Sequence, residues 1–181
     1  MRILLLLITL WAMSVKAQMW VNAKEGFKIR FFSSTPLEDI DAVSKNGKMV
    51  VQSSQNLIQI KLQIKDFHFK NALMEEHFNE NYMETERFPN SSFSGTLTGI
   101  SSYSTDGKYN VTAKGWLEIH GVKNLIQIPG SITIQNQKLI LHSVFTVKLV
   151  DYKIKVPSLY ITNIAEQIEI TFDASLEPYV K

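Results

Sequence analysis

The sequence predicts an all-β domain, a closed antiparallel β-barrel of about eight strands with one helix. Three observations carry this prediction. Residues 109–122, YNVTAKGWLEIHGV, alternate strictly: Tyr109, Val111, Ala113, Gly115, Leu117 and Ile119 form one face, and Asn110, Thr112, Lys114, Trp116, Glu118 and His120 the other. Alternation of that length marks a strand with one face in a core and one in water. Similar segments recur along most of the chain, separated by turn signals at the spacing of a barrel or sandwich. The apolar period changes to three and four only between Asn71 and Thr85, so a single helix accompanies the strands. The long strands favour a barrel over a sandwich, because closure removes edges that would otherwise invite aggregation.

Taken in order, Met1-Arg2 is a basic start, Ile3 to Met13 is an almost unbroken apolar run, and Val15-Lys16-Ala17 places small residues at −3 and −1 of a cleavage site. Residues 1–17 read as a secretory signal peptide cut after Ala17. The run is too short to span a bilayer as a helix, which takes roughly 20 residues. Residues 18–181 then form one domain. Phe27, Ile29 and Phe31 alternate with Lys28 and Arg30 as a first strand. Leu37 to Ser44 and Lys48 to Ser53 flank Asn46-Gly47, a dipeptide that predicts a two-residue hairpin turn because both positions tolerate positive φ. Ile58, Ile60, Leu62 and Ile64 alternate with Gln59, Lys61, Gln63 and Lys65, and after Asp66 the phase shifts to Phe67 and Phe69, marking a bulge or the strand's end.

The helical spacing runs through Leu73, Met74, His77, Phe78, Asn81 and Tyr82, with Asn71 as N-cap and Met74 to Glu76 in the first turn. Phe88-Pro89-Asn90 returns the chain to extended structure. Phe93 to Ser101 is a strand, Asp106-Gly107 a turn, and the long strand from Tyr109 follows, reaching Gly121-Val122. Leu125 to Ile134 is interrupted by Pro129-Gly130, which suits a bulge or an edge. Asn136-Gln137 is a turn, Leu139 to Leu149 a strand, and Val156-Pro157-Ser158 irregular. In the last strand Ile168, Ile170, Phe172, Ala174 and Leu176 alternate with Glu169, Thr171, Asp173 and Ser175.

The chain of 181 residues carries 19 Lys and Arg against 17 Asp and Glu. Arg2 and Lys16 account for the difference, so residues 18–181 hold 17 of each and are formally neutral. No basic excess argues for nucleic acid or for an anionic membrane surface. Without cysteine there is no disulfide, lipidated Cys or thiol nucleophile. Beyond the N-terminal run, no apolar stretch approaches membrane-spanning length.

Four segments, in order and at matching spacing over most of the chain, carry a family resemblance. Leu73-Met74-Glu75-Glu76-His77-Phe78 is similar to an Asp-x-His-Leu helix. Arg87-Phe88-Pro89-Asn90-Ser91-Ser92-Phe93 resembles a Lys-Tyr-Pro-x-x-x-Phe strand start. Residues Gly115 to Lys123 resemble a Gly-x-Leu-x-Leu-x-Gly-Val-Thr-Lys pattern, and Phe145 to Ile154 a Phe-x-Ile-x-Arg-x-Asp-Phe-Gly-Ile block. Together they resemble the YceI-like family of exported lipid-binding proteins. The resemblance implies a lipocalin-like antiparallel β-barrel with the one helix near the barrel mouth, in the periplasm of a Gram-negative bacterium. It also implies that the barrel holds a long isoprenoid chain, a polyprenyl pyrophosphate or a quinone. The departures fall at polar positions. The first strand, Gly26 to Phe31, lacks the family's two His, its later Arg falls at Leu149, and the Arg-Asp before the helix His is Met74-Glu75. An anionic head favours Arg, Lys or backbone N–H groups, so these exchanges shift the expected ligand towards a neutral one.

Candidate cavity residues are Phe93, Leu97, Val111, Leu117, Ile119, Phe145, Val147, Ile170 and Phe172, with His77, Phe78 and Tyr82 at the mouth. Ligand pockets are mostly apolar with a few placed polar groups. Each prenyl methylene removed from water contributes roughly 0.8 kcal/mol, so a tail can bind without a charged head. The same side chains would fill a solid barrel equally well. Two functions therefore stand: an exported protein that sequesters or carries an isoprenoid-like or other long apolar lipid, and a non-enzymatic structural or stress-related periplasmic protein with a filled barrel. The partners are an apolar lipid and, as a homodimer, a second copy of the chain; no cofactor is called for.

An enzyme is not expected. No Ser sits in Gly-x-Ser-x-Gly, and Glu75 and Glu76, being adjacent on a helix, point in different directions. His77 and Glu80 are three apart, but zinc takes three or four placed ligands, and His68, His120 and His142 fall on different strands. The sequons at Asn90 and Asn110 are chance matches in a bacterial setting. Trp20, Phe32 and Tyr160 read as scattered exposed aromatics.

Overall fold

Ten strands form one antiparallel sheet that closes on itself in the computed structural model, which describes residues 18–35, 39–155 and 165–179. The strands are β1 (Met19–Ser34), β2 (Asp39–Ser44), β3 (Lys48–Gln52), β4 (Leu57–Gln63), β5 (His68–Phe69), β6 (Asn90–Thr98), β7 (Gly107–Ile119), β8 (Val122–Gln135), β9 (Lys138–Lys148) and β10 (Gln167–Pro178). A helix α1 (Ala72–His77) and a π turn (Phe78–Tyr82) lie between β5 and β6. Neighbours run β10-β9-β8-β7-β6-β4-β3-β1-β2-β5, and a β10–β1 ladder closes the ring. β2 and β3 lie one after the other along the same side of β1 as one broken stave, and β4 and β5 lie along β3 and β2 in turn as a second, so the ten strands make eight staves.

That broken stave corrects the expected hairpin. Ser44 pairs with Ile29 and Val50 with Val21, so the chain continues past Asn46-Gly47 in one direction rather than reversing. Neither residue takes a positive φ. The break sits opposite a register shift in β1 between Asn22 and Phe27. There the Asn22 side chain replaces ladder bonds, donating to the Gly47 carbonyl at 3.2 Å and accepting from the Met49 N–H at 2.7 Å. Gly47 is needed for close approach: a Cβ at this position would lie 2.2 Å from the Phe27 ring. A local turn propensity has yielded to a buried aromatic.

The hairpin signal that does operate is His120-Gly121. Ile119 pairs with Val122, and the two residues between take φ of 52° and 71°, the left-handed values of a primed turn. His120 is therefore a turn residue rather than the end of the long strand's outer face. The inward face of Tyr109 to Ile119 is as expected, with Val111, Ala113, Gly115 and Leu117 buried. Asn136-Gln137 turns β8 into β9 at φ of 50° and 60°. The β4 pattern ends in a 3₁₀ turn over Ile64–Asp66 before the phase shift. Residues 1–17, Leu37, Val156-Pro157-Ser158 and Tyr160 lie outside the described residues.

The interior is divided. At the end where β1 begins, Trp20, Val51, Ile132, Ile134, Leu139 and Leu176 are each no more than 2% exposed and pack as a solid floor. Trp20 is thus a core residue, corrected from the expected surface one, and Phe32 is half-buried. The Trp20 indole stacks on Tyr103 at 5.2 Å. Trp20 Nε1 and the Tyr103 hydroxyl are both enclosed without a hydrogen-bond partner among the described residues. Burial pushes the Tyr103 phenol up to about 12.

Two outcomes follow from this packing. Gly47→Ala should lower unfolding free energy by about 2 kcal/mol through overpacking against Phe27, read from urea unfolding; an unchanged midpoint would refute the close-approach role. For Tyr103 the folded chain holds its phenolic proton beyond the ordinary value of about 10, so the unfolded chain releases it first as pH rises. The Tyr103 contribution to stability is whole below pH ~10 and is lost on rising towards pH ~12. Tyr103→Phe should flatten most of that alkaline loss and, by removing an unpaired hydroxyl, leave stability at neutral pH unchanged or higher. An alkaline limb as steep as the parent's would show that Tyr103 is not its source.

Candidate functional site

At the opposite end the barrel is hollow, and the chain between β4 and β6 lies across that end. The Asn71 carboxamide caps α1 as the sequence indicates, accepting from the Leu73 N–H at 2.9 Å. The Glu75 carboxylate accepts from the Phe69 N–H at 3.0 Å and fastens the helix to β5. The helix then widens into the π turn, which ends where the Met83 N–H reaches the Phe78 carbonyl at 2.9 Å. Phe78 stacks on Phe31 at 5.2 Å and meets Phe69 at 5.0 Å and Phe67 at 5.9 Å. These four rings join three stretches of chain at the mouth.

A second fastening lies across the mouth. His120 is buried, with its Nε2 3.1 Å from Glu84 Oε1 and its Nδ1 3.3 Å from the Tyr152 carbonyl. Phe88 packs on the imidazole at 4.4 Å. One side chain thus ties the β7–β8 turn to the segment after the helix and to the 3₁₀ turn Leu149–Tyr152.

Two adjoining chambers occupy the interior. The larger, ≈ 330 Å³, lies under the helix between Phe31, Ile64, Phe67, Met83, Val147 and Ile168. The smaller, ≈ 100 Å³, lies deeper, between Ile58, Leu97, Val111, Ala113, Ile128 and Phe172. Ile29, Leu62, Ser91, Leu117 and Phe145 line both. The combined space reaches the lower range of ligand pockets, about 300–1,000 Å³. Among the described residues, no Lys, Arg, Asp or Glu lines either chamber. Ser91 donates to the Glu118 carbonyl at 2.7 Å, and Ser33 accepts from the Ala165 N–H at 3.0 Å. The polar side chains at the mouth are Asn71, His77 and Tyr82.

The twelve residues singled out in the sequence all stand on these walls. His77, Phe78, Tyr82, Ile119, Val147 and Ile170 line the larger chamber, Phe93, Leu97, Val111 and Phe172 the smaller, and Leu117 and Phe145 both. Sequence reasoning missed Ile29, Phe31 and Leu62, although their period-two phase was visible. It also missed Phe67, Phe69 and Met83, whose positions depend on irregular backbone. His77 ends α1 while Glu80 falls in the π turn, and no group of three or more His, Asp or Glu is assembled for a metal among the described residues.

Among solved structures, a polyisoprenoid binding domain from Saccharophagus degradans implicated in plant cell wall breakdown superposes with a TM-score of 0.75 at 13% identity, over 91% of this chain and 100% of that one. Burkholderia cenocepacia BcnA gives 0.68 at 15% identity, over 82% and 95%. The Campylobacter jejuni YCEI protein gives 0.56 at 14% identity, over 75% and 81%. At these identities the likeness concerns the fold. No curated protein matches the chain. A YceI-like domain profile matches residues 16–176, and the chain belongs to the YceI-like domain family.

Proposed function

We propose that the protein is an exported carrier that holds one long apolar molecule, isoprenoid-like and neutral or weakly polar at its head, inside the barrel. The observation that carries this is the ≈ 330 Å³ chamber, whose described lining residues include no Lys, Arg, Asp or Glu. The polyisoprenoid binding attributed to the Saccharophagus degradans domain supports the ligand class. The signal-like residues 1–17 support export to the periplasm. The reading calls for no covalent step. Affinity comes from apolar burial at roughly 0.8 kcal/mol per methylene, set against an association cost of about 4–15 kcal/mol. Short chains therefore bind weakly and long ones tightly. The head group would sit at the mouth beside Asn71, His77 and Tyr82.

Native mass spectrometry of the exported protein, with solvent extraction of whatever is bound, tests this directly. The expected result is a chain cleaved after Ala17 carrying one apolar molecule. An apo mass that persists after incubation with prenyl alcohols and quinones would overturn the carrier reading and favour a structural role. Leu117→Asp and Phe145→Asp, which place charge on the wall between the chambers, should abolish retention while circular dichroism stays that of a β protein. Ile140→Asp, on the exposed side of β9, should retain it. A prenyl alcohol should bind at least as tightly as its pyrophosphate; marked preference for the pyrophosphate would disprove the neutral-head assignment.

A further inference from the structure

We infer that the barrel has a second, lateral opening between β8 and β9, through which the far end of a long ligand chain leaves the interior. The inference rests on the carrier reading above. The β8–β9 ladder runs only from Gln135–Lys138 to Ser131–His142. Beyond it, among the described residues, β8 from Val122 to Gly130 pairs with β7 alone, and β9 from Ser143 to Lys148 pairs with β10 alone. The ladder ends at Ser131–His142, just short of Pro129, which has no N–H to donate and suits an edge or a bulge for that reason. A side-chain bond crosses near this point, from the Ser143 hydroxyl to the Pro129 carbonyl at 2.6 Å. The seam is closed again at the mouth end, where the Asn124 carboxamide donates to the Asp151 carbonyl at 2.7 Å.

The smaller chamber lies against this seam, since Ile128, Pro129, Gly130, His142 and Ser143 belong to its wall. A chain that enters at the mouth and fills the larger chamber passes Leu117 and Phe145 into the smaller one. Straight ahead it meets the floor of Trp20, Val51 and Ile132, which is packed solid. The way out for a longer chain is sideways. The outer side suits an emerging hydrocarbon: Val144, next to Ser143 at the opening, is 43% exposed, and further along the seam towards the mouth the cross-strand partners Trp116 and Leu125 are 54% and 55% exposed. Gln127, Thr146 and Lys148 share that side and keep it soluble.

The absence of cysteine allows a clean test. Val144→Cys at the seam and Glu76→Cys at the mouth are each labelled with a fluorophore in the otherwise unaltered exported chain. Each is titrated with decanol, eicosanol and triacontanol carrying a nitroxide on the terminal carbon, and binding is measured separately by native mass spectrometry. The expected result is little quenching at position 144 by decanol and loss of more than half the fluorescence there with triacontanol, exceeding that at position 76. Ile128→Trp, which narrows only the smaller chamber, should weaken triacontanol binding several-fold and leave decanol unchanged. Binding of all three alcohols with stronger quenching at position 76 would mean that the chain doubles back to the mouth, and the lateral opening is then wrong while the carrier reading stands. Binding of all three with no quenching at either label, or an equal effect of Ile128→Trp on every length, likewise overturns it. Failure of every alcohol to bind overturns both.

Discussion

Closure of the β1–β10 ladder is the constraint on which the rest of this structure depends. The ladder runs from Phe32–Glu169 to Trp20–Pro178 with one register shift, and it turns a ten-stranded sheet into eight staves of fixed circumference. An eight-stranded barrel is wide enough for its side chains to fill it or for one small ligand. Which of these occurs is decided level by level, by the size of the inward residues. Large side chains from β1, β3, β8, β9 and β10 meet at one end and exclude everything else. At the other end the phenylalanine cluster is pulled outward to the helix, and space remains beneath it.

The register shift in β1 shows how one strain is absorbed by two strands at once. Closing the ring over Phe27 requires room beside its ring, and the break between β2 and β3 supplies it by placing Gly47 there. Asn22 then takes over the bonds that the ladder has lost. The Arg30–Asp41 pair at 2.7 Å holds β2 on β1 beyond the break, and the guanidinium keeps the Asp41 carboxyl below the usual carboxylate range. A half-exposed pair of this kind contributes up to about 1 kcal/mol. That contribution is complete above the ordinary carboxylate pKa and lost as pH falls through the depressed one. Backbone continuity, rather than this pair, keeps the stave in place.

The elements that the sequence discloses are those governed by local periodicity. Period-two alternation found β4, β7 and β10, and their inward faces bring Ile58, Leu62, Val111, Leu117, Ile168 and Phe172 to the chamber wall. Asn71 was legible as a cap because the cap is chemistry within one turn. Asn46-Gly47 misled for the converse reason: its turn propensity is local, whereas the outcome was set by Phe27, distant in sequence. His120-Gly121 was passed over because alternation continued into it, and only the positive φ of both residues reveals the reversal. Trp20 could not be assigned to the floor, since its burial requires Tyr103 and β3 to meet it. Whether the barrel was hollow was undecidable from the pattern, because a wall residue and a filler residue have the same period.

The division of the interior also couples stability to occupancy. The side chains around the larger chamber, ≈ 330 Å³, lack the contacts that a filled core would give them. Typical domains are stable by only about 5–15 kcal/mol in total. A hollow barrel of this kind is sustained because its other end is solid. The floor and the closed ladder carry the fold, while His120 and the four phenylalanines hold the thin upper wall together. An apolar chain that fills the chamber restores the missing contacts and is bound by the same physical effect that packs the floor. Ligand retention and thermal stability should then rise together with chain length, until the chain reaches the level of Pro129, where further methylenes pass outside the core and add little to either.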